Sequence, residues 1–250
     1  MFLAILGHDL RTPLGAILTS AQFLVETQAL PEPAATLTAR IAGSASRTLR
    51  LVGDLLDFTR SRLGGGIPIV RADVSVGTVV HDAMDELRAA HPDRTLTLDA
   101  RGAPQAAWDA VRIGQALTNL IGNAVEHGTP GTPVTVAIGG GATTGEPSGA
   151  ATGGDAGGDV AGNTADGADA VTIAIHNWGV AIPAARLPGI FHPLKGREAR
   201  ASAVARGPLD SLGLGLYIAE RIVHAHGGRI VVDSSSARGT TFTVHLPRRG

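Results

Sequence analysis

Leu3, Leu10, Ile17 and Leu24 recur every seven residues at the start of the chain, with Leu6, Leu14, Ala21 and Val25 beside them. That spacing keeps an apolar stripe on one side of a helix along its whole length. Such a stripe has to be covered by other helices. Residues 34–63 repeat the signal, with Leu37, Ile41, Ala45, Thr48, Val52, Leu55 and Thr59 at three- and four-residue steps. Leu30-Pro31-Glu32-Pro33 between them reads as a turn. The pattern predicts an antiparallel helical hairpin with an apolar stripe on each arm. Two helices alone bury too little, so a second copy is expected to complete a four-helix bundle, making the chain a homodimer.

The first helix contains Leu6-Gly-His-Asp-Leu-Arg-Thr-Pro-Leu14. His8 lies about 200° round the helix from Leu10 at 100° per residue. Its own face continues through Thr12, Gly15 and Thr19, which are small or polar. The imidazole is therefore expected to face away from the apolar seam. Pro13 has no N–H for the carbonyl of Asp9, so a bend is expected just past the histidine. An exposed histidine beside a carboxylate can serve as a nucleophile, because the carboxylate holds the tautomer and takes the proton. Read alone, the same residues serve equally as an ordinary surface histidine.

The net charge of -1 offers no electrostatic case for nucleic acid or an acidic membrane surface. The chain has no cysteine, which excludes disulfides and thiolate zinc sites. No apolar run approaches the ~20 residues of a membrane span.

Leu63-Gly-Gly-Gly66 reads as a hinge and divides the chain into residues 1–64 and 67–250. Beyond it, helices are expected over about 76–90, 110–126 and 214–226, and strands over about 95–99, 133–138, 171–175, 229–233 and 240–246. Interleaved elements with a late hairpin suggest an α+β fold, a two-layer sandwich. Residues 139–170 hold eleven glycines, five acidic residues, no basic residue and no Leu, Ile or Phe. They bury too little to offset ordering entropy and are expected to be a disordered insertion at a hairpin tip.

Three stretches in the second part carry polar chemistry. Gln115, Asn119 and Asn123 fall at i, i+4 and i+8 on one helical face, opposite Leu117, Leu120, Ile121 and Ala124. An amide oxygen can ligate Mg²⁺ while an amide NH₂ holds a phosphate, although a solvated polar face would look the same. His176-Asn-Trp-Gly-Val-Ala-Ile-Pro183 follows a strand, and Ser211-Leu-Gly-Leu-Gly-Leu-Tyr-Ile218 opens a helix. Glycines there let backbone N–H groups approach an anion at a positive helix end. No Gly-Lys-Ser/Thr phosphate loop occurs. His224 and His226, two apart on a helix, face different ways, and Trp108 and Trp178 read as packing residues.

Taken in order, these stretches resemble the motifs of bacterial two-component sensor histidine kinases. His-Asp-Leu-Arg-Thr-Pro-Leu resembles the phospho-acceptor box. Asn119 to Ala124 resembles the N box of the ATP-binding domain, Asn177 to Pro183 the G1 box, Ile190-Phe-His-Pro193 the F box, and Ser211 to Leu216 the G2 box.

The resemblance implies a Bergerat-type ATP-binding domain behind a dimerising phosphotransfer hairpin. It makes His8 the phospho-acceptor, Asp9 the adjacent acid/base and Thr12 the residue that assists phosphatase chemistry. ATP and Mg²⁺ are the implied cofactors, with Asn123 as metal ligand. Asn119, Asn123, His127, Asn177, Gly179, Ile182, Phe191, Lys195, Gly213, Leu214, Gly215 and Leu216 are the implied nucleotide-binding residues. Residues 184–212 become a mobile ATP lid, and the implied partner is a response-regulator receiver domain. Three positions depart from the pattern: Asn177 stands where the family has aspartate, Glu126-His127 where it often has Lys-Tyr, and Ser211 where it has glycine. Lys195, Arg197 and Arg206 are the lid's candidates for replacement positive charge. The alternative reading is a phosphotransfer or docking scaffold of the same fold with a weakened ATP site.

Overall fold

The computed structural model describes residues 2–27, 30–100, 102, 104–140, 170–193 and 213–249, with side chains from Leu10 onward. These divide into two compact units, Met1–Pro68 with Pro188–Ile222, and Ile69–Leu187 with Val223–Gly250.

In the first unit, α1 (Phe2–Thr27) and α2 (Ala34–Arg62) pack along each other as the expected hairpin. α1 runs as one helix through Pro13. Ala21 and Ala45 are both 4% exposed and form the small-residue centre of the hairpin, with Leu56 sealing one end at 6%. The heptad positions tell a different story. Leu10, Ile17 and Leu24 of α1 are 41–47% exposed, and Leu37, Ile41 and Leu55 of α2 are 46–53% exposed. The stripe that the sequence reads as a seam is therefore open in the single chain.

In the second unit, the elements run β1 (Ala72–Ser75), α3 (Val76–Ala90), β2 (Leu96–Ala100), β3 (Gln105–Trp108), α4 (Ala110–His127), β4 (Val134–Gly140) and β5 (Ala170–Asn177). After the 3₁₀ turn Ala184–Gly189 and α5 (Gly215–Ala225) come β6 (Arg229–Ser235) and β7 (Gly239–Pro247). β1 and β3 form a small antiparallel pair. The other strands form one sheet in the order β2-β4-β5-β7-β6, with only β2–β4 parallel. The fold is an α+β two-layer sandwich. Val134, Val136, Ile138, Val171, Ile173, Ile175, Phe242, Val244 and Leu246 alternate onto one sheet face, all at most 1% exposed. α3 and α4 pack on each other and on this sheet. Their contributions include Val76, Val80, Met84, Leu120, Ile121 and Ala124, each buried completely.

Gly139, Gly140 and Ala170, expected in the insertion, are strand residues instead. The β4–β5 ladder pairs Gly139 with Thr172 and Gly140 with Val171. Ladder hydrogen bonds need no side chain, so glycines continue a strand that the composition had ended. Residues 141–169, like Lys195, Arg197, Arg206 and Ser211, lie outside the described residues.

Candidate functional site

α4 carries the polar face that its spacing predicts. Asp109 caps the helix, its carboxylate accepting from Arg112 N at 3.0 Å. The N–H of Asp109 in turn donates to Nε2 of His226, which is 1% exposed. That bond joins the start of α4 to the turn before β6. Trp108 just before the cap is a packing residue, 1% exposed, with its indole N–H donating to Pro247 O at 2.7 Å. Further along, Gln115, Asn119 and Asn123 are all half-buried, while Leu117, Leu120, Ile121 and Ala124 on the other side are buried. Gln115 is engaged, accepting from Arg112 Nη1 at 2.9 Å. Asn119 is different: its Nδ2 is buried and has no hydrogen-bond partner. A buried N–H₂ without an acceptor is costly and marks a place where an acceptor belongs.

The Asn177 to Pro183 stretch starts at the end of β5. Asn177 continues the inward series of Val171, Ile173 and Ile175 and is 3% exposed. Its Nδ2 makes one long bond, 3.4 Å to Trp178 O. Gly179 forms an isolated antiparallel bridge with Gly128, the residue after α4. Thr129 N donates to Trp178 O at 2.6 Å and fastens the same join. The backbones approach too closely for side chains. A Cβ on Gly179 would stand 2.4 Å from His127 O, and one on Gly128 would stand 2.7 Å from Ala124 O. On the far side of the turn, Ile182 N donates to Ser234 Oγ at 2.9 Å, and Ser234 bonds Thr240 Oγ1 at 2.7 Å. The second unit thus brings Asn177, Gly179 and the end of α4 at His127 into one cluster.

Trp178 corrects an expectation. It is 44% exposed and stands edge-on to His176 at 5.3 Å, not in the core. At the end of β5 the alternation ends, and Trp178 is left half-covered. Burial lowers the pKa of both His127 and His176. Solvent reaches much of His127 as a residue, yet the protein round its ring displaces enough water to favour the neutral form.

Phe191 and Leu214 to Leu216 belong to the first unit. Phe191 is half-buried. Gly213 has φ +68°, a conformation that favours glycine, and Leu214, 3% exposed, accepts from Ile218 N to start α5. Tyr217, one turn in, bonds Ser61 Oγ at 2.9 Å and meets Phe58 edge-on at 5.6 Å. His8 and Asp9 lie on α1, and Thr12, one turn on, is exposed. The sequence reading missed Gly128, Thr129, Ser234 and Arg94. Gly128-Thr-Pro-Gly131 does signal a turn, but nothing in it names the partner strand.

Residues 1–64 match the His Kinase A (phospho-acceptor) domain, and residues 108–250 match the histidine kinase-, DNA gyrase B-, and HSP90-like ATPase family. The chain belongs to the histidine kinase family. It is similar to a probable sensor histidine kinase, TcrY, of Mycobacterium tuberculosis, at 34% identity over all of this chain and 46% of that protein. It is also similar to the bacteriophytochrome of Pseudomonas aeruginosa, at 32% identity over 99% of this chain and 29% of that protein. The chain spans less than half the length of these curated relatives. Among solved structures, full-length ShkA in complex with AMPPNP shares the fold at a TM-score of 0.63 and 24% identity, covering 98% of this chain and 45% of that one. The Acinetobacter baumannii histidine kinase AdeS does so at 0.55 and 19%, covering 96% and 98%. Among the described residues no helix is long and apolar enough to cross a membrane.

Proposed function

We propose that this chain is the catalytic core of a sensor histidine kinase: it binds ATP in its second domain, phosphorylates its own His8, and hands the phosphoryl group to an aspartate on a response-regulator receiver domain. The observation that carries the reading is the buried, unpartnered Nδ2 of Asn119 on the face that also holds Asn123. It supplies a donor for phosphate oxygen beside a neutral amide oxygen suited to a hard cation. Mg²⁺, when bound, supplies charge neutralisation for phosphoryl transfer. Asn123 holds it through its side-chain oxygen. Asn119 donates to the phosphates. Asn177 and the Gly179 turn receive the base.

His8 is the nucleophile. Its ring nitrogen forms the N–P bond as the bond from the γ-phosphorus to the bridging oxygen breaks, and Asp9 takes the ring proton. Thr12, exposed on α1, assists phosphatase chemistry. The roles of His8, Asp9 and Thr12 rest on the resemblance of their box. The functional division is residues 1–64 for dimerisation and phosphotransfer, and 67–250 for nucleotide. Two copies pair through the open stripe of Leu10, Ile17 and Leu24 with Leu37, Ile41 and Leu55, in the cytoplasm where ATP is available. Incubation with γ-labelled ATP and Mg²⁺ tests the reading. An acid-labile, base-stable label absent from His8→Ala supports it, and label at full strength in that variant rejects it.

A further inference from the structure

Arg94 lies in the connection between α3 and β2, outside every motif that marks the nucleotide site. Its Nη1 donates to Thr129 O at 3.1 Å. The same carbonyl accepts from Thr132 N at 3.2 Å and Thr132 Oγ1 at 2.7 Å, so it is fully engaged. The other side of Thr129 donates its N–H to Trp178 O. One residue is thus held by Arg94 at its carbonyl and holds the Gly179 turn with its amide. Nη2 of Arg94 lies over Gly128, where a Cβ would come to 2.5 Å from it. That places the guanidinium against the C-terminal end of α4, where the helix dipole favours positive charge. Arg94 therefore touches Gly128 and Thr129 on the α4 side of the Gly128–Gly179 bridge, and reaches the turn on the other side only through the Thr129 N–H to Trp178 O bond.

The rest of the guanidinium is idle. Nε and Nη2 are buried with no hydrogen-bond partner. Buried donors without acceptors oppose folding, so stability alone gives little reason to place this side chain here.

We infer that Arg94 is a positioning residue for the nucleotide site: its single bond to Thr129 and its charge at the end of α4 fix the Trp178–Gly179 turn against the Asn119/Asn123 helix. The inference rests on the proposed ATP site. Arg94 does not touch the nucleotide. Its removal loosens the turn, weakens binding, and leaves transfer at saturating nucleotide nearly unchanged. Because only one N–H is used, lysine can replace it, which would fail at a bidentate site.

The test uses the full chain, with AMPPNP and Mg²⁺ titrated calorimetrically and His8 phosphorylation followed against ATP concentration. Arg94→Met and Arg94→Lys both keep an unbranched apolar stem, but only lysine keeps charge and donor. Expected are an Arg94→Lys affinity within about threefold of wild type and an Arg94→Met affinity at least about tenfold weaker, equivalent to ~1.4 kcal/mol. KM for ATP should rise in Arg94→Met while kcat stays within about threefold. Arg94→Gln is the second variant; too short to reach Thr129 O, it should follow Arg94→Met. Full affinity in Arg94→Met, or equal weakening in the lysine and methionine variants at unchanged melting temperature, overturns the inference. If wild type itself fails to bind AMPPNP, the ATP site falls and the role of Arg94 falls with it. If wild type binds and Arg94→Met binds equally, only the role of Arg94 falls.

Discussion

Replacing Gly179 by alanine puts a Cβ 2.4 Å from His127 O and 3.2 Å from Asn177 Nδ2. Carbon–oxygen contacts normally fall at about 3.3–3.6 Å, so the turn has to retreat by about 1 Å. His127 O cannot yield instead, because it belongs to the last turn of α4. The retreat stretches the Thr129 N to Trp178 O bond from its present 2.6 Å and opens the Gly128–Gly179 bridge. A lost backbone hydrogen bond costs about 1 kcal/mol of stability. A misplacement of about 1 Å at a positioned site costs up to roughly a hundredfold in function. The expected outcome is nucleotide affinity down by about ten- to a hundredfold, or ~1.4–2.8 kcal/mol, in a protein that still folds. Gly114→Ala is the matched comparison. It lies inside α4, and a Cβ there meets nothing within 4 Å. It should gain about 0.5–1 kcal/mol of stability and leave affinity alone. Calorimetric titration and thermal melting of both variants decide the matter. A Gly179→Ala protein that binds nucleotide within twofold of wild type refutes the argument that this close approach shapes the site.

Asn123→Ala should fold, since its apolar neighbours stay buried, but lose the tightening of nucleotide binding by Mg²⁺ together with His8 phosphorylation; an intact Mg²⁺ effect would place the metal elsewhere. Burial holds the His127 pKa below its ordinary value, so the unfolded chain takes up the proton first as pH falls. Its contribution to stability is complete above about pH 6.5 and is lost as pH falls from there towards the lowered folded value. His127→Gln should flatten the decline in melting temperature over that window, and an unchanged slope would rule His127 out as its source. Ile41→Glu puts a charge on a residue that is already 52% exposed in the single chain. It should leave the melting of the second unit untouched and convert the dimer to monomer in sedimentation, whereas a dimer that survives would exclude this stripe.

Much of the site was legible because its chemistry is periodic. Asn119 and Asn123 fall one turn apart opposite apolar residues, and Asp109 announces the helix start by its capping oxygen. What stayed hidden depends on contacts through space. Arg94 and Thr129 are 35 positions apart and meet only after β2 and β4 pair. Gly128 looks like any turn glycine until Gly179 lies against it. β1 and β3 are four residues each, too short for a pattern to mark them as strands, and each is fixed by its pairing with the other. The α1 stripe is apolar as its spacing indicates, but periodicity cannot tell what covers it. Trp178 shows the opposite failure: a large aromatic suggests core, yet its place past the last ladder pair leaves it at the surface.

β2 and β6 are the outer strands of the five-stranded sheet. An outer strand offers unpaired backbone groups to any strand that drifts alongside. β2 is only five residues long and carries Asp99. β6 carries Arg229 and Asp233, and Arg238 binds Asp233 at 3.0 Å. Short length in β2 and charge on both make them poor templates for fibre growth. The apolar hairpin stripe is the contrasting surface, and a two-fold helical contact consumes the surface that makes it. A sheet edge regenerates a fresh edge with every chain added. At rising concentration this chain should therefore saturate as a closed pair and stop there.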